Sequence, residues 1–299
     1  MSKILISGGT GLIGSHLTKK LKEKGYDVAI LSRDRKKLPL QTYFWNPGSN
    51  EIEREAIVTS DYIIHLAGEN IFNKKWTEKR KKEIIDSRVK TTELLYNKVT
   101  HERKNLKAFI SASAIGYYGA VTSEKIFSEN DPPGKDFLGQ VCYEWEKAAD
   151  KFIQSGIRVV KIRTSPVLAK NGGALAKMKT QAKFWLGSAL GNGNQYQPWI
   201  HIDDLCNIYI KAIEDEKMNG AYNAAAPDQK TNKEFMKTLT RVMHKPFWFP
   251  NVPKWLLKLI FGEKSAMILE GSRVSVDKIE NAGYKFIFPE LESALKDLV

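Results

Sequence analysis

Cysteine is nearly missing from this sequence: Cys142 and Cys206 are the only two in 299 residues. Two thiols are too few for a disulfide framework or a metal cluster, so neither a stapled secreted scaffold nor a metal site is expected. Long apolar runs are missing as well. No stretch reaches the ~18 consecutive apolar residues that a membrane-spanning helix needs, and no membrane span is expected. Internal repeats, low-complexity tracts and long linkers are also lacking, which excludes repeat arrays and disordered scaffolds. The opening MSKILISGG reads as a strand that begins at once rather than as an export leader, so the expected location is cytoplasmic.

Acids are in short supply. Asp and Glu number 34 against 47 Lys and Arg, leaving a formal net charge of +13. Such a balance raises nucleic acid or an anionic membrane as partners. The lysines are spread along the whole chain, however, and the densest run, KKWTEKRKKE at 74–83, carries its own acids in a helical pattern. The excess reads as solvated helix faces, and no specific nucleic-acid partner is expected. A hydrophobic content of 42% and a charged content of 27% are ordinary for a globular chain long enough for one large domain or two intertwined ones.

What is present begins at the N-terminus. KILIS (3–7) is a short apolar run suited to a buried parallel strand, and GGTGLIGSHL follows it into a helix that stops at Gly25. A second strand then runs from Asp27 to Leu31. The glycines fall as Gly8-x-x-Gly11-x-x-Gly14. Gly8 makes the tight turn, Gly11 lets backbone approach a pyrophosphate, and Gly14 lets the helix pack on the strand. Thr10, Leu12 and Ile13 complete the turn and are candidate cofactor contacts with it. In this βαβ context the spacing points to a dinucleotide. The second strand ends LSRDRKK, so Ser32 and Arg33 stand where an NAD site usually has an acid. With Arg35, Lys36 and Lys37 behind them, they favour the 2′-phosphate of NADP. Asp34 keeps NAD open, since a one-residue shift makes it the ribose acid.

A third strand includes TYFW (42–45) and a fourth DYIIHLAG (61–68). GGTGLIG, HLAG, SASAIGYYG and WIHIDDL, in this order, resemble the extended short-chain dehydrogenase/reductase family, in its NAD(P)-dependent epimerase/dehydratase-like branch. LAGENI, SRVKTTELL, CYEWEKAA, NGGAL and YNAAAP further resemble the subgroup called epimerase family protein, or cell-division-inhibitor-like nucleotide-sugar epimerase. That subgroup ends in a small domain of unknown function, and the resemblance covers nearly the whole chain. It implies that Leu66, Ala67 and Gly68 line the cofactor, with Glu83 and Arg88 either in reach of its edge or on a solvated helix face. Ser87 stands where an active-site Asn is common. Ser113 matches the catalytic Ser/Thr, and Pro166 and Val167 match the strand end beside the nicotinamide.

The family also expects Tyr-x-x-x-Lys, the Tyr as acid/base and the Lys lowering its pKa. VCYEWEKAAD (141–150) offers Tyr143 and Lys147. Helical periodicity favours another register: Val141, Trp145, Ala148, Ala149 and Phe152 form the apolar stripe, Cys142 and Glu146 flank it, and Tyr143 and Lys147 lie on the far side. Cys142 and Glu146 are therefore the expected catalytic-face pair, with Tyr143 and Lys147 the alternative. In that register the usual proton relay is altered or absent. Tyr117 and Tyr118 are substitute acids, with simple packing the favoured reading of both.

The second half is expected to carry the substrate, between the nicotinamide and a glycine-rich loop at 172–200, with Lys177, Lys179 and Lys183 in the same lobe. Asp203 and Asp204 read as helix caps and His201 as a structural hydrogen-bonder. TNKE (231–234) has capping-box spacing. Trp248, Phe249, Trp255 and Phe261 read as two short helices packed on the core, with a substrate, partner or membrane-associated surface the alternative. The expected architecture is α/β, a Rossmann-type doubly wound parallel sheet with a smaller C-terminal substrate lobe. Residues 1–169 form the dinucleotide-binding domain, with its sheet completed by about 196–225. Residues 170–195 and 226–299 form the lobe, including a small C-terminal domain from about 246. The expected function is an NADP-dependent oxidoreductase or epimerase-like enzyme acting on a small molecule that bears a hydroxyl or carbonyl, a sugar nucleotide being the family's usual substrate. An NADP-binding sensor with lost turnover is the alternative, and a homodimer stays open.

Overall fold

A computed structural model describes residues 2–34, 40–102 and 104–299. The chain opens with β1 (Lys3–Ser7), α1 (Leu12–Glu23) and β2 (Asp27–Ser32). Ile4, Leu5, Ile6 and Ser7 are fully buried, as a parallel strand covered on both faces must be. Along α1, Gly14, Leu17, Thr18 and Leu21 are buried at helical spacing. The helix ends at Gly25, whose φ of 86° turns the chain so that the Tyr26 N–H reaches the Leu21 carbonyl at 3.1 Å.

Then come β3 (Gln41–Asn46), β4 (Glu51–Ile52), α2 (Arg54–Val58), β5 (Tyr62–His65), α3 (Glu78–His101) and β6 (Ala108–Ala114). A 3-10 turn at Ile115–Tyr118 leads to β7 (Ile126–Phe127), α4 (Phe137–Gln154), β8 (Arg158–Thr164) and β9 (Val167–Leu168). The second half supplies α5 (Gly173–Lys183), β10 (Tyr196–Gln197), β11 (Ile200–His201), α6 (Ile202–Glu214), β12 (Gly220–Ala224), α7 (Asn232–Val242), α8 (Lys254–Phe261) and a last helix, Leu291–Leu298.

One eight-stranded sheet, in the order β12-β8-β6-β5-β1-β2-β3-β4, spans the molecule. Every pairing in it is parallel except β3 with β4. The strand order turns back at β1, which leaves a crevice between β1 and β5 above their carboxyl ends, where doubly wound sheets take ligands. On one face Ile6, Leu17, Leu21, Leu205 and Tyr209 join α1 and α6 to the sheet. On the other, Leu5, Leu95, Phe109 and Phe152 join α3 and α4, with the Phe109 and Phe152 rings stacked at 3.9 Å. Leu175, Trp199, Phe235, Leu239 and Leu295 make a separate core that ties α5, α7 and the last helix together. The fold is therefore a Rossmann-type doubly wound sheet carrying a second packed cluster.

Two local expectations are corrected. The α6 cap is His201, whose ring accepts from the Asp203 N–H at 3.1 Å. The acids themselves do other work. Asp203 pairs with Lys20 at 2.7 Å and joins α6 to α1, while fully buried Asp204 accepts from the Ile287 and Phe288 N–H groups at 2.8 and 3.0 Å. The C-terminal aromatics also depart from the packed arrangement: Trp248 and Trp255 are 64% and 67% exposed. In KWLLKLIF, apolar residues run round more of α8 than one face can bury, and only Leu257 is fully covered. The capping box at Thr231 and Glu234 is present.

Candidate functional site

The crevice above β1 and β5 is a cleft of about 910 Å³. Its floor is the glycine turn. Gly8 holds φ at 74°, and the Gly11 N–H closes the turn on the Gly8 carbonyl at 3.0 Å. A Cβ on Gly14 would lie 2.2 Å from that same carbonyl, so only glycine allows α1 to start here. A Cβ on Gly11 would meet only the Gly8 oxygen, at 3.3 Å, leaving bare backbone toward the cleft. Gly11 caps α1 without a side-chain bond and the first turn holds no acid, so its N–H groups are free for an anion. Thr10 lines the same wall. Leu12 reaches toward the second half, where a Cβ on Gly172 would sit 3.2 Å from its Cδ1, and Ile13 turns into the core. Val167 lies beside that junction, its carbonyl 3.3 Å from where a Gly173 Cβ would be.

The β2 tip forms the far wall. Ser32, Arg33 and Asp34 all line the cleft, and the Ser32 hydroxyl accepts from the Asp34 N–H at 3.1 Å. Arg35, Lys36 and Lys37 lie outside the described residues. Opposite stand Trp45 and Asn46, the last two residues of β3, and Pro47 and Gly48 after it. The sequence reading missed them, although N-P-G after a strand is a turn signal.

The third wall is the turn Leu66–Ala67–Gly68 after β5, with Ser87 and Thr91 of α3. Buried groups brace it from behind. The His65 ring bonds Ser7 Oγ at 2.5 Å and Thr91 Oγ1 at 3.1 Å, and burial pushes its pKa down to about 3. Arg88 donates to the Glu69 carbonyl at 3.1 Å and the Ile84 carbonyl at 3.0 Å, and stands 5.1 Å from the Trp145 ring. Glu83 is held by Arg80 at 3.0 Å, and Arg80 also donates to Glu69 and to the Asn70 carbonyl. Neither Glu83 nor Arg88 lines the cleft; both act on the turn that does.

On α4 the buried pair is Cys142 and Glu146, each 5% exposed, while Tyr143 is 43% exposed and Lys147 lies at the surface. Glu146 is not free to serve a ligand. Arg163 of β8 grips both of its oxygens, at 2.8 and 2.9 Å, and Ser113 of β6 donates to it at 2.7 Å. Burial opposes the Arg163 charge, but the bonds to Glu146 outweigh it and hold the guanidinium above its ordinary pKa. The network continues from Arg163 to the Tyr118 hydroxyl at 3.0 Å and from that hydroxyl to Asn223 at 2.7 Å. Tyr117 lies under the guanidinium, 3.4 Å from ring centre to carbon. Burial and the Glu146 charge push the Cys142 thiol up to about 12. Ser113 therefore spends its proton on Glu146, Cys142 is a poor acid, and Tyr143 and Lys147 line a separate cavity of 370 Å³ with Lys161 and Arg163. Arg163 was passed over in the sequence, where RTSPV drew attention only to Pro166 and Val167.

Residues 4–225 match the NAD dependent epimerase/dehydratase family, and residues 252–298 match a domain of unknown function, DUF1731. Over 99% of this chain and 99% of the relative, the sequence is 35% identical to the Homo sapiens epimerase family protein SDR39U1. It is likewise 35% identical to the epimerase family protein YfhF of Bacillus subtilis, covering 99% of this chain and 97% of the relative. A crystal structure of the human protein with NADPH superposes with a TM-score of 0.88 at 33% identity, over 99% of this chain and 98% of that one. With the glycine turn, the switch-point cleft and full-length likeness in agreement, this chain belongs to the NAD dependent epimerase/dehydratase family.

Proposed function

We propose that this protein is an NADP-dependent oxidoreductase or epimerase-like enzyme acting on a small molecule that bears a hydroxyl or carbonyl. One observation carries the reading: a single cleft holds both a helix N-terminus stripped to bare backbone and Arg33 at the β2 tip. Gly8, Thr10, Gly11 and the first N–H groups of α1 would take the pyrophosphate, and Ser32 with Arg33 the 2′-phosphate. Leu66, Ala67 and Gly68 would form the wall beside the adenosine half, with Leu12, Val167 and Gly172 at the other end. When bound, the nicotinamide supplies hydride transfer. NADPH in the human relative supports the choice of cofactor. A sugar nucleotide is the substrate class to screen first.

Titration with NADPH and NADH, followed by nicotinamide fluorescence, tests this. The expected result is a clear preference for NADPH that Arg33→Ala reduces by roughly tenfold while NADH binding barely moves. A preference for NADH would make Asp34 the ribose ligand and overturn the assignment.

A second reading is an NADP-binding regulatory protein with weak or lost turnover. It is favoured by the commitment of Glu146 and Ser113 to Arg163, and by the burial of the Cys142 thiol. Steady-state turnover on sugar nucleotides and simple carbonyls separates the two.

A further inference from the structure

The second half of the chain carries apolar side chains that its own core leaves uncovered. Phe184, Trp185 and Leu186 follow α5 and are 68%, 55% and 47% exposed. Trp255 and Leu259, four apart on α8, are 67% and 76% exposed. The stretches flanking the two segments are joined: the Val252 N–H, two residues before α8, donates to the Ala189 carbonyl at 2.9 Å, and the Gly191 N–H to the Val252 carbonyl at 2.8 Å. Trp185 takes a left-handed φ of 65°, an unfavourable backbone for a bulky residue, and gains no burial by it. Exposed aromatic groups on two adjoining segments, one strained, mark a surface that meets something else.

Charge says what that something is. No acid occurs between Asp150 and Asp203, nor between Glu234 and Glu263, and these two stretches contain both segments. Lys183, Lys245, Lys254 and Lys258 lie within or near the two segments, and the Lys245 ammonium stands 5.8 Å from the Trp185 ring centre. Glu270 answers Lys254 at 3.3 Å, but among the described residues no carboxylate pairs with Lys183, Lys245 or Lys258. A second copy docking by two-fold symmetry would set these lysines against themselves. Tryptophan, leucine and unpaired lysine on a short amphipathic helix suit the boundary of an anionic bilayer, with rings at the headgroup level and ammonium groups on lipid phosphates. We propose that this face, formed by residues 184–186 and α8, docks the protein on anionic membrane surfaces without crossing them. α5 runs from Gly173, beside Leu12 of the glycine turn, to the exposed Phe184, so the face lies about 16 Å from the cofactor turn along that helix.

The test uses the full-length protein with vesicles of phosphatidylglycerol and phosphatidylcholine, or of phosphatidylcholine alone, read by co-sedimentation and by tryptophan emission. The expected result is sedimentation and a blue shift with the anionic vesicles only, weakened by salt. Trp255→Ser with Leu259→Ser, and separately Lys183→Glu with Lys245→Glu and Lys258→Glu, should each weaken binding by roughly tenfold or more. All these side chains are exposed or half-buried, so unchanged thermal melting establishes that the variants fold. Failure of the wild type to bind anionic vesicles overturns the proposal, as does equal binding to neutral ones or wild-type binding by the variants. Light scattering that shows a dimer broken by the Trp255/Leu259 pair would assign the face to a second copy instead.

Discussion

The cofactor cleft and the buried face of α4 lie on one sheet but are built by opposite means. The cleft is mostly backbone: a glycine turn, a bare helix start and a short turn after β5, each a local stretch of sequence. The α4 face is all side chains, and its parts come from far apart: Ser113 from β6, Tyr118 from the 3-10 turn, Glu146 from α4, Arg163 from β8 and Asn223 from β12. The first kind of site offers vacant donors to a ligand. The network of the second spends its donors and acceptors on its own members and offers few.

The comparison breaks most sharply at Arg163. Removing one partner of a buried ion pair leaves the other charged and unpaired, so Arg163→Ala should cost about 3–5 kcal/mol in urea unfolding. Glu146→Leu with Arg163→Met removes both charges and should cost far less. If Arg163→Ala unfolds like the wild type and instead abolishes turnover, the network is catalytic after all. The cleft answers to a different change. Arg33 is exposed, and Arg33→Ala should leave stability within about 0.5 kcal/mol while lowering NADPH affinity.

His65 sits between the two regions and sharpens the contrast through pH. The fold keeps its ring neutral down to about pH 3. In the unfolded chain it takes up a proton near pH 6.5. Below that value the unfolded state binds the extra proton, so stability falls as the pH falls. Between pH 7 and pH 5 the loss is about 2 kcal/mol, and His65→Gln should flatten that slope in urea titrations across the range. A wild-type stability unchanged between those pH values would mean the ring is already charged or hydrated in the fold.

The same contrast governs what could be read from the chain. The turn at Gly8–Gly14 was legible because its physics is local: three glycines, a strand before and a helix after. The strands of the sheet followed from short apolar runs, whereas Leu66–Gly68 followed from the family resemblance carried by HLAG. The inward turn of Cys142 and Glu146 was legible from helical periodicity. Their partners were not, since nothing in RTSPV says that Arg163 lies opposite Glu146; that needs the parallel pairing of β6 with β8. Trp45–Gly48 were missed because a wall opposite Arg33 exists only once β3 pairs with β2. The C-terminal aromatics misled for a related reason. Apolar composition is visible in a sequence, but whether a neighbour is there to cover it is a property of the fold.

The smallest expected effect tests the Tyr-x-x-x-Lys spacing. Tyr143 and Lys147 satisfy Tyr-x-x-x-Lys by spacing, yet Tyr143 is half-exposed and line 143–147 of α4 faces a cavity apart from the cleft. A tyrosine works as an acid there only if a cofactor and a cation reach it. Tyr143→Phe removes one oxygen from a solvated ring, so stability should shift by less than about 0.5 kcal/mol. NADPH affinity should stay as in the wild type, and so should any turnover that a screen uncovers. A large loss of turnover with affinity and melting intact would move the chemistry to the 370 Å³ cavity, beside Tyr117, Lys161 and Arg163. The network around Glu146 would then be the back wall of an active site rather than a closed structural unit.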